Sequence, residues 1–441
     1  MRVAVVGLGK LGAPLAAVLA SKGNEVLGVD VNPNAVRLLN DGTAPVAEPG
    51  LQELVTGARE RLKATTELAA AATCELTILL VPTPSDERGA FTNDFVLSAV
   101  EEIGRGLAGR DDYHVVVVGS TVMPGSCVSE ILPALEHASG RRVGESLGLC
   151  YSPEFIALGS VIRDMLEPDM VLIGESDDRA GEGLEQLYSG VCENDPPFRR
   201  MNLVNAELTK IAVNTYVTMK ISYANALADM CERLPGADVA AVTDALGLDT
   251  RIGRKYLQGA VAYGGPCFPR DNKAFAVLAR DLGAEPLLAE ATDSVNTAQT
   301  ERLARIVRSR LTGDRVVGIL GLTYKPNTGI TEESPGLALA GRLAGDGYEI
   351  LAYDPAADES ALDGIDGAEL CTSAGEVLDR ADVVVIATPW QEFAELPVED
   401  LVAGRARPVV IDCWRILSDE RYGDVVDIVR LGQPLAASSS V

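Results

Sequence analysis

The chain opens on an apolar run, residues 2–6 (RVAVV), that stops at Gly7. From Lys10 to Ser21 apolar residues, many of them alanine, recur at helical spacing, and a second apolar run follows at Glu25–Asp30. Strand, glycine-rich turn, helix and strand in that order predict the opening of a doubly wound parallel sheet. Four more continuous apolar runs read as buried strands: Leu76–Val81, Val115–Val118, Leu147–Tyr151 and Met170–Ile173. Their separations leave room for helical crossovers.

From Asn205 to about Leu234 the pattern changes to one uninterrupted helical period with no Gly or Pro. It is too long for an ordinary globular helix and too polar for a membrane span. Further helical spacing extends to about Arg310. A second glycine-rich strand then begins at RVVGILGLTYKP, 315–326, and the segments that follow parallel the first part of the chain in order. GYEILAYDP (347–355) matches NEVLGVDVNP (24–33), and ADVVVIATPW (381–390) matches CELTILLVPTP (74–84), a weak internal repeat of one α/β unit. The expectation is an α/β protein with two Rossmann-like doubly wound parallel-sheet domains, joined by a long central helix and facing each other across a cleft. The predicted boundaries are 1–200, 201–300 and 301–441. The segment from about Leu431, ending LAASSSV, reads as a frayed tail.

Composition narrows the partners. Of 441 residues, 64 are Asp or Glu and 38 are Lys or Arg, a formal charge of −26. That balance excludes general nucleic-acid binding and attraction to an anionic membrane, but not an anionic ligand met by local cations. Only 8 of the 38 basic residues are Lys, so each lysine is worth examining. The eight cysteines form no C-x-x-C pair, and His114 and His137 are the only histidines, which argues against a metal site. No charged leader precedes the first strand and no apolar run reaches ~18 residues. With scattered cysteines, this reads as a cytoplasmic protein.

Gly7-Leu8-Gly9-Lys10-Leu11-Gly12 lies between strand and helix, the context a pyrophosphate-binding turn requires. Asp30 ends the second strand, 18 residues past Gly12, where a carboxylate bonds the ribose hydroxyls of NAD and repels a 2′-phosphate. NAD is therefore the expected cofactor. Pro82 and Thr83, and Ser120 and Thr121, follow strand ends and either line the cofactor crevice or form ordinary turns. In Y263-G-G-P-C-F-P-R-D271, two glycines and two prolines fix a loop around Cys267, with Asp271 four residues on. A catalytic thiol or a small buried residue both fit there. Lys210 and Asn214 lie one turn apart on the long helix, as an oxyanion-stabilising pair or a solvated face. Glu154 follows a strand end, and Arg251 and Lys325 are isolated cations.

Taken in order, GLGKLG, VPTP, GSTVMPGS, SPEF, AELTKIAVNTY, RIGRKYL, GGPCFPRD, GLTYKP and ESP near 333 resemble the UDP-glucose/GDP-mannose dehydrogenase family over residues 1 to about 420. The resemblance implies an NAD-binding domain, a central dimerisation domain and a UDP-sugar-binding domain. It also implies four-electron oxidation of a sugar C6 alcohol to a carboxylate through a thiohemiacetal and a thioester. By that resemblance Cys267 is the nucleophile, Lys210 and Asn214 hold the C6 oxygen, and Asp271 and Thr121 orient water. Glu154 is the acid/base. Arg251 reaches a neighbouring subunit's site, Lys325 binds substrate, and Gln258 to Gly264, including Tyr263, cover the nucleotide. The substrate's diphosphate explains cations retained in an acidic protein.

Three departures stand out: Leu158 where a second Glu is usual, Glu332 where an Arg is usual, and D412-C-W414 where D-G-R is usual, with Arg415 one place late. Trp414 or Arg415 would meet the base or sugar. The implied substrate is UDP-glucose. Alternatives are another nucleotide sugar (a UDP-N-acetylhexosamine or GDP-mannose), one-step alcohol oxidation, and a non-catalytic NAD-binding homologue.

Overall fold

Runs of β-branched residues form the strands, and where both faces of a sheet are covered those runs are continuous rather than alternating. The computed structural model describes residues 1–311, 315–398 and 408–434. The chain divides into two units, Met1–Ala212 and Val213–Val441, with the boundary inside one 31-residue helix, Leu203–Arg233.

The first unit carries β1 (Arg2–Val6), β2 (Glu25–Val29), β3 (Leu62–Thr65), β4 (Leu76–Leu79), β5 (His114–Val118), β6 (Leu147–Tyr151), β7 (Val171–Glu175) and β8 (Phe198–Asn202). They form one sheet in the order β3-β2-β1-β4-β5-β6-β7-β8. The pairs are parallel except β6 with β7, which runs antiparallel with Cys150 opposite Glu175. The sheet is thus not parallel throughout, because apolar runs locate strands without encoding their direction. Every residue of β5 is buried. The helix Gly12–Ser21 is buried over all but its last residue.

The second unit carries β9 (Val316–Leu320), β10 (Glu349–Tyr353), β11 (Ala368–Leu370), β12 (Val383–Ile386), β13 (Val409–Asp412) and β14 (Asp427–Arg430). Their order, β11-β10-β9-β12-β13-β14, repeats that of the first six strands, here all parallel. The repeat extends to single atoms. Gly7 sits at φ +93° and donates its N–H to Val29 at 2.7 Å; Gly321 sits at φ +108° and donates to Tyr353 at 2.8 Å. A Cβ on Gly12 would lie 1.7 Å from the Gly7 carbonyl oxygen, and one on Gly336 would lie 2.1 Å from that of Gly321. Only glycine lets each helix start that close to its strand.

Leu431–Gln433 is not the frayed tail that its position in the chain suggests. The Gly432 N–H donates to Glu232, its carbonyl accepts from Val239, and Gln433 donates to Asp238. Glu232 is itself paired with Arg302, both almost fully buried. Breaking such a buried pair by removing one partner costs ~3–5 kcal/mol, so the segment docks on a fixed point. Residues 435–441 lie outside the described residues.

Candidate functional site

The first unit gathers its glycine turn and Asp30 at the carboxyl ends of β1 and β2. One Asp30 oxygen accepts the Leu8 N–H at 2.6 Å and the other the Asn32 N–H at 2.7 Å. The Leu8 side chain is buried beside Gly28, so Leu8 serves the turn through its backbone. Gly9 and Lys10 are exposed, and Leu11 is half-buried. A Cβ on Gly9 would meet nothing within 4 Å, which leaves its backbone approachable from outside. A glycine-lined turn at the start of a buried helix, with a carboxylate on the next strand, fits the pyrophosphate and ribose of NAD.

The exits of β4 and β5 are stitched to each other. Ser120 Oγ donates to the Val81 carbonyl at 2.6 Å and accepts the Val81 N–H at 3.0 Å, while Thr83 Oγ1 donates to the Thr121 carbonyl at 2.7 Å. Pro82, between them, is exposed. Glu207, fully buried on the long helix, accepts the N–H groups of Gly125 at 2.6 Å and Cys127 at 2.7 Å, fixing the segment that follows Thr121. Glu207 escapes a sequence reading because its partners lie about 80 residues away. The available signal was its place one turn before Lys210 on the same face.

Lys210, nearly buried, donates to the Glu154 carbonyl at 2.6 Å and lies 4.6 Å from the centre of the Phe155 ring. The Glu154 carboxyl accepts the Tyr188 hydroxyl at 3.2 Å, in a cavity also lined by Met165, Val191 and Cys192. Burial pushes this carboxyl above the ordinary carboxylate range, against the opposing effects of Tyr188 and the Lys210 charge. Tyr188 is a second residue that sequence reading missed. Leu158 packs half-buried against the first unit's apolar core.

In the second unit Cys267 is the N-cap of the helix Phe268–Asp281, with its side chain exposed at the positive end of the helix. Asp271, in the first turn and almost fully buried, accepts Asn214 Nδ2 at 2.6 Å. Both preceding glycines are sterically required. A Cβ on Gly264 would lie 2.0 Å from the Glu333 carbonyl oxygen, and one on Gly265 would lie 2.5 Å from the Tyr324 ring. The Glu332 carbonyl accepts the Gly265 N–H at 3.0 Å, so at this position the backbone acts. Burial, with smaller contributions from Cys267 and Tyr256, pushes the Tyr324 phenol up to about 12. Lys325 lies half-buried with its ammonium 5.6 Å from the centre of the Tyr324 ring.

Of the remaining predicted residues, Gln258 and Arg415 line one cavity together with Arg254 and Gly259. Tyr263 is buried, its hydroxyl donating to Asp293 at 2.7 Å, and Gln258 is exposed. Arg251 is exposed and paired with Asp249 at 2.6 Å. Arg415 pairs with Asp238 at 2.8 Å and donates to the Leu431 carbonyl at 3.1 Å. Burial alone would raise the Asp238 carboxyl, but Arg415, Gln433 and the Ala240 N–H bring it down to about 2. Trp414 donates its indole N–H to the Ala387 carbonyl at 2.7 Å.

The open space above Gly9 separates binding from folding. Gly9→Ala is expected to keep the melting temperature within about 2 °C of the parent, because the new methyl touches nothing in the protein. It should weaken NAD binding at least ~10-fold by titration calorimetry, because the methyl occupies the pyrophosphate approach. Unchanged NAD affinity would contradict the assignment of this turn.

Comparison with known proteins agrees with this arrangement. Models of the UDP-glucose/GDP-mannose dehydrogenase family match its NAD binding domain at residues 1–192, its central domain at 204–298 and its UDP binding domain at 318–419. A UDP-glucose 6-dehydrogenase of Haloferax volcanii is 38% identical over 434 residues, covering 97% of this chain and 100% of that protein. A GDP-mannose 6-dehydrogenase of Pseudomonas putida is 31% identical over 415 residues, covering 90% and 93%. The solved structure of a UDP-glucose dehydrogenase from Pyrobaculum islandicum superposes with a TM-score of 0.88 at 33% identity, covering 98% of each chain. With all three of its domains matched in order and full-length relatives on both sides of its name, the chain belongs to the UDP-glucose/GDP-mannose dehydrogenase family of NAD-dependent oxidoreductases.

Proposed function

We propose that this protein oxidises the C6 alcohol of UDP-glucose to the carboxylate of UDP-glucuronate, with the sugar held covalently on Cys267 between two hydride transfers. The observation that carries the reading is the exposed Cys267 thiol at a helix N-terminus, with the part-buried Asp271–Asn214 bond one turn behind it. Bound NAD supplies the hydride acceptor, once for each of the two oxidations.

The protein's own groups account for the rest. Lys210 and Asn214 stabilise the C6 oxygen as the alcohol loses its proton and hydride. Cys267 sulfur then adds to the aldehyde carbon, so that no free aldehyde leaves and the adduct retains a second hydride to give up. Loss of that hydride and of the hydroxyl proton leaves a thioester on Cys267. Asp271 and Thr121 orient water, Glu154 takes its proton, and cleavage of the C–S bond frees the acid and returns the thiol. Overall, one alcohol, one water and two NAD⁺ give one carboxylate, two NADH and three protons.

UDP-glucose is favoured over GDP-mannose because the UDP-glucose relative is the more similar of the two, 38% against 31%, and matches over its whole length. Leu158 and Trp414 are the positions where preference between sugars or bases would be set. Lys325, Arg415, Tyr263 and the Gln258–Gly264 loop belong to the nucleotide-sugar side of the reading. The assembly is a homodimer or higher homo-oligomer, with Arg251 extended toward a neighbouring subunit. Supporting this, Tyr216, Tyr223 and Met230 recur every seven residues on the long helix and are more than half exposed. Among the described residues no helix is long and apolar enough to cross a membrane, in keeping with a cytoplasmic reading.

The substrate assignment predicts a kcat/KM for UDP-glucose at least ~10-fold above that for GDP-mannose in NAD-coupled assays; a reversed order would contradict it. The Glu154 role predicts a pH effect. A general base works ionised, and burial makes this carboxyl hold its proton to higher pH. Activity should therefore fall on the acid side with a midpoint above the ordinary 4.5. Glu154→Gln should lower kcat by ~10²-fold or more and abolish that limb. An unchanged profile in the variant would remove Glu154 from the chemistry.

A further inference from the structure

The loop that leads to Cys267 is gripped by two asparagines from different helices. Asn225, fully buried on the long helix, accepts the Ala260 N–H at 2.8 Å and donates to the Val261 carbonyl at 2.9 Å. Asn296, on the helix Leu287–Arg310, accepts the Tyr263 N–H at 2.8 Å and donates to the Tyr263 carbonyl at 3.0 Å. One turn earlier on that helix, Asp293 accepts the Tyr263 hydroxyl. Each asparagine uses one acceptor and one donor against a backbone N–H and C=O, as a strand neighbour would, although among the described residues this loop has no strand partner. An amide is the side chain that offers both at once; a carboxylate of the same shape offers acceptors only.

We propose that Asn225 and Asn296 are positioning residues that hold the 258–264 loop in its substrate-binding conformation before the nucleotide sugar arrives. They act through the loop and touch no reacting atom. Gly264 and Gly265, pressed against Glu333 and Tyr324, carry the fixed path on to Cys267. A loop set in advance spares the ordering entropy that binding would otherwise consume, so its release raises KM for the ligand it covers. The inference rests on the reading of this loop as the cover of the nucleotide sugar.

The test is Asn225→Asp and, separately, Asn296→Asp in the full chain. The donor to a carbonyl is lost in each, while shape is kept. Each variant should raise KM for UDP-glucose about 10-fold or more, the expected cost of one buried polar group left unpaired. KM for NAD should stay within about twofold, because the glycine turn belongs to the other unit. Destabilisation without positioning would move both constants together through the folded fraction, and that result would overturn the proposal, as would an unchanged KM for UDP-glucose. Hydrogen exchange gives an arm that needs no turnover: in Asn225→Ala and Asn296→Ala, which remove the acceptor as well as the donor, the amides of Ala260 and Tyr263 respectively, protected in the parent, should exchange at least ~10-fold faster. Equal exchange overturns the clamp. A parent protein that oxidises no nucleotide sugar contradicts the parent reading, and the exchange arm then decides the clamp by itself.

Discussion

The contact on which both sheets are built is backbone against backbone: a helix with a glycine in its first turn, pressed on the carbonyl of the glycine just past the preceding strand. At Gly12 and Gly7, and again at Gly336 and Gly321, no side chain fits between. Close approach aims the helix N-terminus of the first unit at the space above Gly9, and Asp30 locks the turn by taking the Leu8 N–H. In the second unit Asp354 does the same for Leu322 and Thr323, and it also takes the Trp390 indole N–H. The duplicated turn has diverged in loop length, since Gly12 follows Gly7 by five residues and Gly336 follows Gly321 by fifteen.

Around this repeated frame, function is delegated to side chains that bind backbone. Glu207 fixes the segment after Thr121, Lys210 holds the Glu154 carbonyl, and Asn225 and Asn296 hold the loop before Cys267. Glu207, Lys210 and Asn225 of the long helix are thus used to place loops, and in a chain of net charge −26 Lys210 and Lys220 both donate to backbone carbonyls.

Local features were legible from sequence. Gly7, Gly12 and Asp30 declare themselves because turn, helix start and strand end are fixed over a few residues. The helix expected at Asn205–Leu234 forms at Leu203–Arg233 because nothing in it breaks the period. The internal repeat was legible because apolar runs recur in order. What was missed is short, polar or distant. β3 is four residues long, and β8 carries two arginines in five, so neither produces an apolar run. Neither the Glu207 contacts nor the pairing of Arg415 with Asp238, 177 residues apart, leaves a local pattern. Docking of Leu431–Gln433 depends on Glu232 and Asp238, which no reading of the tail itself would find.

The central claim is covalent four-electron oxidation on Cys267. Its most direct measurement is the number of NADH formed per UDP-glucose consumed, with excess NAD⁺ and limiting sugar, in the parent and in Cys267→Ala. The account predicts two NADH and one UDP-glucuronate per sugar in the parent, and no acid from the variant. One NADH per sugar with release of aldehyde, or full acid formation by Cys267→Ala, would contradict it.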